Sequence, residues 1–573
     1  MSFIEKMKEW VRRYYGWLLA GATVLAVLLR FVQLGAAGLS SHEAEGALQA
    51  LSIVKGQQTI VGGEPGYVGL TSILFFLFGG SDFLARFWPA LFGSALTLLP
   101  GLFRKHLDDL PGVLLAFLIA LEPGLVMLSR TADGTMIMVF SLLGAAGFFL
   151  TKKMIPAGIF GGLALASSQQ FWPLAFILFF AGFLTYIAGR QTSEVAPEPE
   201  TDEKTKWWLL SLSALITILV VSSQFFLYPG GISGIGSGFV GFIDSWRQTG
   251  EFSLGTFLMV QLVAQFPAIL LGVWGLVVGL REKKPMFRFL GLWWIVGLIL
   301  WVTNPSLGAQ HIPIINLPVY VLASIQVIRF VEGTVIRSKI VAAAEALVSV
   351  SLIIFSTLNF VNLINMTMAD PVTQRNRIVG TLLPLVLWII FSMLLAWGWD
   401  VVSTKGGLLI GIGFLFTALL VGSAWKAADL GSRPENELLS GMEYVSGEEE
   451  LLQTVSDISR WNTGQANRID VAVAGLDLPS ITWALKDFEK TSTDLTFSEK
   501  TEASIILASP DSIVQSPTAY RGNLLVWSKK PAYSQFTWQD WFKWFFNRKI
   551  PQQKETIMLW VRNDLFKDVS SQN

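Results

Sequence analysis

The apolar residues of this chain are gathered into long runs, and this feature constrains the fold more than any other. An α-helix needs about 20 consecutive, predominantly apolar residues to cross a bilayer. Inside hydrocarbon a helix satisfies its own backbone hydrogen bonds, so such runs are expected to be helical. The sequence therefore predicts an α-helical polytopic membrane protein with about thirteen transmembrane helices. The candidate spans are about 15–33, 87–103, 110–128, 134–151, 154–170, 171–189, 207–227, 254–280, 287–302, 311–329, 339–366, 377–397 and 406–425.

The composition supports a membrane protein and excludes several kinds of site. Hydrophobic residues make up 52% of the 573 residues and charged residues only 15%, whereas soluble domains carry about 25% charged residues. The net charge is zero, so the basic footprint of a nucleic-acid-binding protein is missing and no such partner is expected. With no cysteine and three histidines, a disulfide, a thiol nucleophile or a His-rich metal site is excluded. We predict no cofactor; a divalent metal is compatible with the acidic residues but is not supported by any ligand pattern.

The charged residues are concentrated near the C-terminus. Residues 427–573 hold 35 of the 84 charged residues in about a quarter of the chain. We therefore predict a transmembrane domain at 1–426 and one soluble domain at 427–573. A second polar stretch at about 190–206 is rich in Glu, Thr and Pro, which is typical of a solvated linker.

The soluble domain is predicted to be mixed α/β. Short runs rich in β-branched and aromatic residues favour strands at 469–474, 504–508, 523–527 and 556–561. A helix fits 479–490. The aromatic segment 536–549 carries Trp together with flanking Lys and Arg, a combination suited to a membrane interface. We predict that it forms a helix touching either the membrane or the outer loops.

The distribution of basic residues predicts the orientation, because cytoplasmic loops are enriched in Lys and Arg. The basic N-terminus is expected in the cytoplasm, and the acidic first loop, 34–66, on the other side. The short run 67–79 is predicted to be juxtamembrane or re-entrant, with a fourteenth span as the alternative. Without it, the basic loops and the linker at 190–206 are cytoplasmic, and the C-terminal domain is extracytoplasmic. The expected location is the plasma membrane.

On this topology four segments share the outer face: 34–66, 129–133, 228–253 and 303–310. Ionisable residues at a membrane are functional candidates because their desolvation is costly. Glu43, Glu45, Arg130 and Asp133 meet this criterion. A structural role is also expected, since Ser40 or Ser41 followed by Glu43 has the spacing of a capping box at a helix start. Asp133 could similarly cap the next span.

Three segments resemble a known family when taken in order. They are LLRFVQLGAAGLSSHEAEGALQAL, GGEPGYVGLTSILFFLFGGSDFLARFWPALFG and LEPGLVMLSRTADGTMIMVF. This order resembles the GT-C superfamily of glycosyltransferases, in its protein-mannosyltransferase and ArnT-like branch, and within it the flippase-activity-associated protein group. The C-terminal segment AGLDLPSITWALKDF, at 474–488, is also similar to that group. The family's thirteen or so spans and outer C-terminal domain match the count made above from the apolar runs.

The resemblance implies transfer of a hexose from a polyprenyl-phosphate-linked donor, with inversion, to an acceptor in the cell envelope. In this family an acid in the first outer loop acts as general base, and basic groups hold the lipid phosphate. The implied catalytic residues are His42, Glu43, Glu45 and Asp133. The implied substrate contacts are Arg86, Arg130, Asp244, Arg247 and His311. The sugar, the lipid length and the acceptor are left open.

This sequence departs from the family pattern at the position of the base. His42 stands where the family has its usual acid, and Gly63-Glu64-Pro65 stands where the family has His-Gly-Pro. Three hypotheses follow. His42 acts as base, because an imidazole titrates near neutral pH; Glu43 or Glu45 has taken over the role; or the protein is a catalytically inactive relative that serves glycan assembly or export. A secondary transporter is less favoured, because no pair of repeats with broken helices is evident.

Overall fold

The structure is a computed structural model of the chain. It describes residues 3–191, 204–248, 250, 253–282, 284–304, 306–334, 336–366, 370–430, 438–439, 443–494, 503–512 and 518–566. Most of the predicted linker at 190–206, and part of the polar stretch that follows residue 426, lie outside these ranges.

Helices make up the first three quarters of the described chain. Their bounds are α1 Phe3–Phe31, α2 Ser41–Val54, α3 Pro65–Phe78, α4 Asp82–Ala95, α5 Asp109–Leu121, α6 Pro123–Leu128, α7 Thr135–Leu150, α8 Met154–Ser167, α9 Phe171–Gln191, α10 Lys204–Ser222, α11 Ser233–Ser245, α12 Leu254–Arg281, α13 Pro285–Thr303, α14 Ile312–Ile315, α15 Leu317–Glu332, α16 Lys339–Ile364, α17 Pro371–Leu395 and α18 Val401–Ala427.

Among the described residues, six helical stretches are long and apolar enough to cross a membrane, or up to eight if two bent pairs each count as one span. Five further apolar helices are shorter. The helical membrane architecture is thus confirmed, while the predicted number of thirteen spans is not. The six stretches are Glu5–Phe31, Asp82–Gly101, Phe171–Gly189, Pro285–Thr303, Lys339–Ile364 and Pro371–Ala427.

Several predicted spans are shorter or broken in the structure. The run 67–79, which is a span only in the alternative prediction, forms part of α3, whose 14 residues reach only about 21 Å, less than the roughly 30 Å of a hydrocarbon core. The predicted span 110–128 is divided into α5 and α6 at Glu122, whose backbone is extended. The 57 residues from Pro371 to Ala427 are interrupted by a π-helical turn and by Asp400, which caps α18 with its side chain.

The C-terminal part contains a six-stranded sheet and three helices. The strands are β1 Tyr444–Val445, β2 Asp470–Ala474, β3 Lys490–Asp494, β4 Ile505–Ala508, β5 Tyr520–Pro531 and β6 Gln552–Arg562, and the helices are α19 Glu448–Thr463, α20 Pro479–Ala484 and α21 Trp538–Asn547. The strand order is β1-β5-β6-β4-β2-β3. β2 runs parallel to β3 and β4, and the remaining pairs are antiparallel.

All four predicted strands and the aromatic helix are present, with different lengths. The predicted helix 479–490 ends early as α20, because Lys490 already pairs with Asp470 in the sheet. β1, β3 and α19 were not predicted. Helix α19 buries Leu451 and Val455 against the sheet, so its apolar positions fall at helical spacing.

The aromatic helix α21 packs against the membrane helices. Trp541 and Trp544 belong to the main buried cluster, which they share with apolar residues of α7, α13 and α15. The Phe360 ring, on α16, lies 5.5 Å from the rings of both Phe542 and Phe546, measured between centroids. The segment is helical, as predicted, and contacts other helices; its contact with the membrane or with the outer loops stays a prediction.

A second contact between the sheet and the helices is made by α20. Trp483 is fully buried, stacks on Phe75 with ring centroids 5.7 Å apart, and donates its indole N–H to Asp82 Oδ1 at 2.6 Å. Helix α20 also contacts the beginning of α2. The Ser41 backbone N–H donates to Glu443 Oε1 at 2.6 Å, and the Ser41 and Ser480 hydroxyls are 3.0 Å apart.

Candidate functional site

The beginning of α2 is fixed by a buried ion pair. Glu43 closes the predicted capping box, its carboxylate accepting from the Ser40 backbone N–H and hydroxyl at 2.9 Å each. The same carboxylate accepts two hydrogen bonds from Arg86, at 2.8 and 2.9 Å, and one from the Ala132 backbone N–H at 2.9 Å. Burial alone would raise the pKa of Glu43, but the Arg86 charge and these donors hold it below its usual range.

The guanidinium of Arg86 binds both Glu43 and the segment between α1 and α2. Beyond Glu43, its guanidinium donates to the carbonyls of Leu34, Ala37 and Gly38 at 3.3, 2.6 and 3.0 Å. The side chain is buried. The geometry therefore gives Arg86 the task of holding the segment between α1 and α2, and the bonds made by Glu43 give it the same task.

The turn at 129–134 is joined to the end of α1 by a reciprocal pair of arginines. Arg30, from α1, donates to the Ser129 hydroxyl at 3.0 Å and to the carbonyls of Ile119 and Ala120. Arg130 donates in return to four carbonyls at the end of α1, those of Leu29, Arg30, Val32 and Gln33, at 2.8–3.3 Å. Burial and the nearby Arg86 lower the pKa of Arg130 to about 10. Arg86 and Arg130 thus both bind the region that joins α1 to α2, and Arg30 binds the 129–134 turn from α1.

His42 and Glu45 lie on the opposite side of α2 from Glu43. Both are exposed, whereas Glu43 and Ala44 are buried. Residues three apart on a helix are neighbours, so the imidazole and the Glu45 carboxylate share one face. Of the four predicted catalytic residues, Glu43 is enclosed by donors, and His42 and Glu45 point away from the buried side.

A buried acid, Asp133, and a half-buried one, Glu64, lie within electrostatic reach of His42. Glu64, just before α3, accepts from the Gly134 backbone N–H at 2.9 Å and from the Ser168 hydroxyl at 2.8 Å. Asp133 is the neighbour of Gly134 and accepts from the Thr135 backbone N–H at 2.9 Å. Burial and the charge of Glu64 raise the pKa of Asp133 to about 7, and the His42 charge opposes this. Burial also raises the pKa of Glu64, again opposed by His42.

The polar turn between α8 and α9 extends this group to His311. Ser168 binds Glu64, and two residues later Gln170 Oε1 lies 2.6 Å from His311 Nε2. His311 is buried, and its Nδ1 lies 3.3 Å from the Gly308 carbonyl oxygen. His311 is thereby connected to the Glu64 group through one short turn.

Sequence reasoning missed part of this group. The sequence marks Glu64 only as an acid of the first loop and as the position of a missing histidine, and it places Ser168 and Gln170 within or at the edge of a predicted span. The available signal was the run of four polar residues at 167–170 between two apolar helices.

The remaining predicted contacts are placed at the surface. Asp244 and Arg247 form an exposed ion pair, with N–O distance 3.6 Å. They sit at the end of α11, where the Asn304 amide donates to the Ser245 hydroxyl at 2.7 Å. Tyr228 bonds the Thr59 backbone. With the bonds above, the four segments predicted to share one face do converge.

The described residues include no group of three His, Asp or Glu side chains placed to hold a metal ion. A small cavity of about 120 Å³ lies beside the ion pair. Arg86, Arg130, Asp429 and Glu443 are among the residues that line it. Burial raises the pKa of Asp429 to about 6, and the two arginines oppose this.

Comparisons with known proteins identify the fold. No protein-family model and no curated protein matches the sequence. The fold is similar to that of ArnT from Cupriavidus metallidurans bound to undecaprenyl phosphate, with a TM-score of 0.53, 11% identity, and coverage of 96% of this chain and 99% of that chain. The apo state of the same protein gives a TM-score of 0.51 and 13% identity over 87% of this chain and 93% of that chain. At these identities the comparisons show a similar overall fold, and the apolar helices among the described residues support an integral membrane protein.

Proposed function

We propose that this protein is a membrane glycosyltransferase that moves a sugar from a polyprenyl-phosphate-linked donor to an acceptor of the cell envelope, on the outer face of the plasma membrane. The observation that carries the proposal is the hydrogen bond from the Gly134 backbone N–H, next to Asp133, to Glu64, together with the influence of the His42 charge on the pKa values of both acids. The similar solved structure bound undecaprenyl phosphate, which supports a lipid phosphate as the leaving group.

His42 is the proposed general base. A base must reach the acceptor hydroxyl within hydrogen-bond distance, and His42 is the exposed member of the group. As the acceptor oxygen bonds to C1 of the sugar, with inversion, the bond from C1 to the phosphate oxygen breaks and the lipid phosphate leaves. The hydroxyl proton passes to the imidazole, and the carboxylates of Glu64 and Asp133 stabilise the resulting positive charge.

The remaining predicted residues take supporting roles in this proposal. Glu43 and Arg86 hold the segment that presents His42, and Arg130 holds the end of α1. Glu45 shares the face of His42 and would contact the acceptor. A leaving phosphate requires positive or donating groups. The candidates are Arg247, whose side chain is 82% exposed and paired with Asp244, and His311, linked to Glu64 through the turn at 168–170.

The test is transfer by the purified protein in lipid nanodiscs, supplied with a panel of radiolabelled polyprenyl-phosphate sugars and an envelope extract as acceptor. His42→Ala is expected to reduce transfer by about 10²-fold or more. Glu64→Gln and Asp133→Asn are expected to give smaller losses. His106→Ala is the matched control, because His106 is also exposed and lies outside this group.

Two results would contradict the proposal. Wild-type rates in His42→Ala would exclude this base. Absence of transfer and of donor consumption by the wild type, across the whole panel, would favour the alternative of an inactive relative in glycan assembly or export. That alternative draws its support from His42 at the usual acidic position and from the fully bonded Glu43.

A further inference from the structure

A groove of about 520 Å³ lies in the C-terminal domain, away from the group around His42. Its lining includes Asp457 and Trp461 on α19, Arg521 and Asn523 on β5, and Phe566. This volume falls within the range of about 300–1,000 Å³ that is typical of ligand sites. The groove has no role in the transfer step described above.

Besides the aliphatic side chains of Ile458, Leu559 and Val561, the groove is lined by aromatic rings and by polar groups. Trp461 is 73% exposed, although an aromatic ring of this size normally gains from burial. Around it are a carboxylate, an amide and a guanidinium, each planar and able to form two hydrogen bonds. The guanidinium of Arg521 is held over the Phe566 ring, 5.1 Å from its centroid, so its direction is set. Asp457 is only loosely paired, with its oxygen 3.6 Å from Arg460.

We propose that this groove binds a neutral saccharide. The apolar C–H face of a sugar ring would cover the exposed face of Trp461, and adjacent hydroxyls would pair with Asp457, Asn523 and Arg521. An anion is a poorer match, because Asp457 faces the same space as Arg521. An acyl chain is a poorer match as well, because three polar groups would lose water without gaining partners.

Helix α19 connects the groove with the proposed active site. Its first residue, Glu448, lies against Gly38 in the connection between α1 and α2, and Trp461 lies thirteen residues along the same helix. That separation is about 20 Å along the helix axis, a length that a short glycan spans. Resting on the proposed function at this point, we infer that the groove holds the acceptor glycan while its end reaches His42.

The experiment measures saccharide binding directly, without any donor. Full-length protein in lipid nanodiscs is titrated with maltotriose, cellotriose, mannotriose and chitotriose, and binding is followed by saturation-transfer NMR; alkyl-glycoside detergents are avoided because they would compete. At least one trisaccharide is expected to bind with Kd near about 1 mM. Trp461→Ala is expected to weaken that binding by about tenfold or more, and Asn523→Ala to weaken it less. Trp461→Phe retains an aromatic face and is expected to keep most of the affinity.

Trp538→Ala is the matched control, since Trp538 is 72% exposed in the same domain but does not line the groove. No binding of any trisaccharide, or equal losses in Trp461→Ala and Trp538→Ala, would overturn the inference. Binding that appears only after deletion of residues 567–573 would also overturn it, by making the chain's own tail the occupant. Because binding is measured without any donor, an absence of transfer by the wild type would leave the groove result distinguishable from the transferase proposal.

Discussion

At the scale of single residues, the two neighbours His42 and Glu43 have opposite environments. Glu43 is buried and accepts hydrogen bonds from Arg86, Ser40 and Ala132, whereas His42 is exposed one position earlier. A carboxylate whose oxygens are already occupied by donors is a weak base, since those donors favour its charged form. The sequence predicts a function for His42 or Glu43. Which of them faces the outside depends on which side of α2 is covered by the rest of the protein.

The first prediction separates stability from activity at these two positions. Glu43→Gln removes the charge that compensates buried Arg86, and breaking such a pair costs about 3–5 kcal/mol of unfolding free energy. His42→Ala changes an exposed side chain and is expected to shift it by no more than about 0.5 kcal/mol. Thermal unfolding of both variants, monitored by circular dichroism, provides the comparison. Equal stability of the two variants would show that the ion pair does not hold α2.

The second prediction concerns the pH dependence of stability. A carboxyl whose pKa is raised in the folded state contributes stability below its unfolded pKa and loses it as pH rises through the folded value. For Asp133 this window runs from about 4, its ordinary value, to about 7. The pKa values of Glu64, Asp429 and Glu448 are raised as well. The melting temperature is therefore expected to fall between about pH 5 and 7.

Asp133→Asn removes one of these groups and is the natural comparison. The variant is expected to show a shallower decline in melting temperature over the same interval, because the other raised acids remain. A melting temperature that increases steadily from about pH 5 to 7 in the wild type would contradict the raised pKa values of these acids.

At the scale of elements, the site is built at helix ends. Gly134 precedes the first residue of α7 and donates its backbone N–H to Glu64. It lies so close to the end of α8 that a Cβ placed on it would overlap the Ser167 carbonyl. Its φ of −83° is accessible to any residue, so the requirement for glycine is one of space. The close approach brings the 129–134 turn and the 167–170 turn together.

Gly134→Ala is therefore expected to disturb the site through backbone displacement. Overpacking of this kind costs about 1–3 kcal/mol, and the bond from residue 134 to Glu64 should lengthen. The expected readouts are a lower melting temperature and reduced transfer. Gly161→Ala, at a position of α8 with nothing within 4 Å of the added carbon, is the control and is expected to be neutral or slightly stabilising. Similar behaviour of the two variants would contradict the packing argument.

At the scale of the whole molecule, the C-terminal domain helps to hold the proposed active site in place. Glu443 and Ser480 bind Ser41, the residue before His42, and Trp483 fills the space between α20 and the bundle. The Trp527 indole N–H supports Ser480 from behind, donating at 3.0 Å. The beginning of α2 is thus held by contacts from the helical part of the chain and from the part that contains the sheet.

Trp483→Ala is expected to loosen this arrangement. Loss of a fully buried Trp costs about 3–5 kcal/mol, here concentrated at the contact between α20, α2 and α3. Hydrogen exchange in residues 41–54 should become faster, while exchange in α16 should not change. Trp538→Ala, which removes an exposed indole, should leave both rates unaltered. Unchanged exchange in 41–54 would show that α2 is ordered without the C-terminal domain.

Features that depend on local composition could be predicted from the amino-acid order alone. The apolar runs indicated membrane helices, the Ser40–Glu43 spacing predicted the capping box, and short runs rich in β-branched and aromatic residues located four strands. Each of these follows from a short stretch of chain meeting water, lipid or its own backbone. Helix breaks such as Glu122, and the number of spans, were less accessible because an apolar run shows its length but not where it bends.

Which polar groups contact one another depends on the folding of distant parts of the chain onto each other. The bond from Glu64 to Gly134 joins positions 70 apart, and the bond from Gln170 to His311 joins positions 141 apart. The packing also places Arg86 and Arg130 where both donate to backbone carbonyls from the end of α1 to the start of α2. Burial and the closeness of charges are properties of packing, since the same carboxylate is a solvated surface group or a buried acid depending on what covers it.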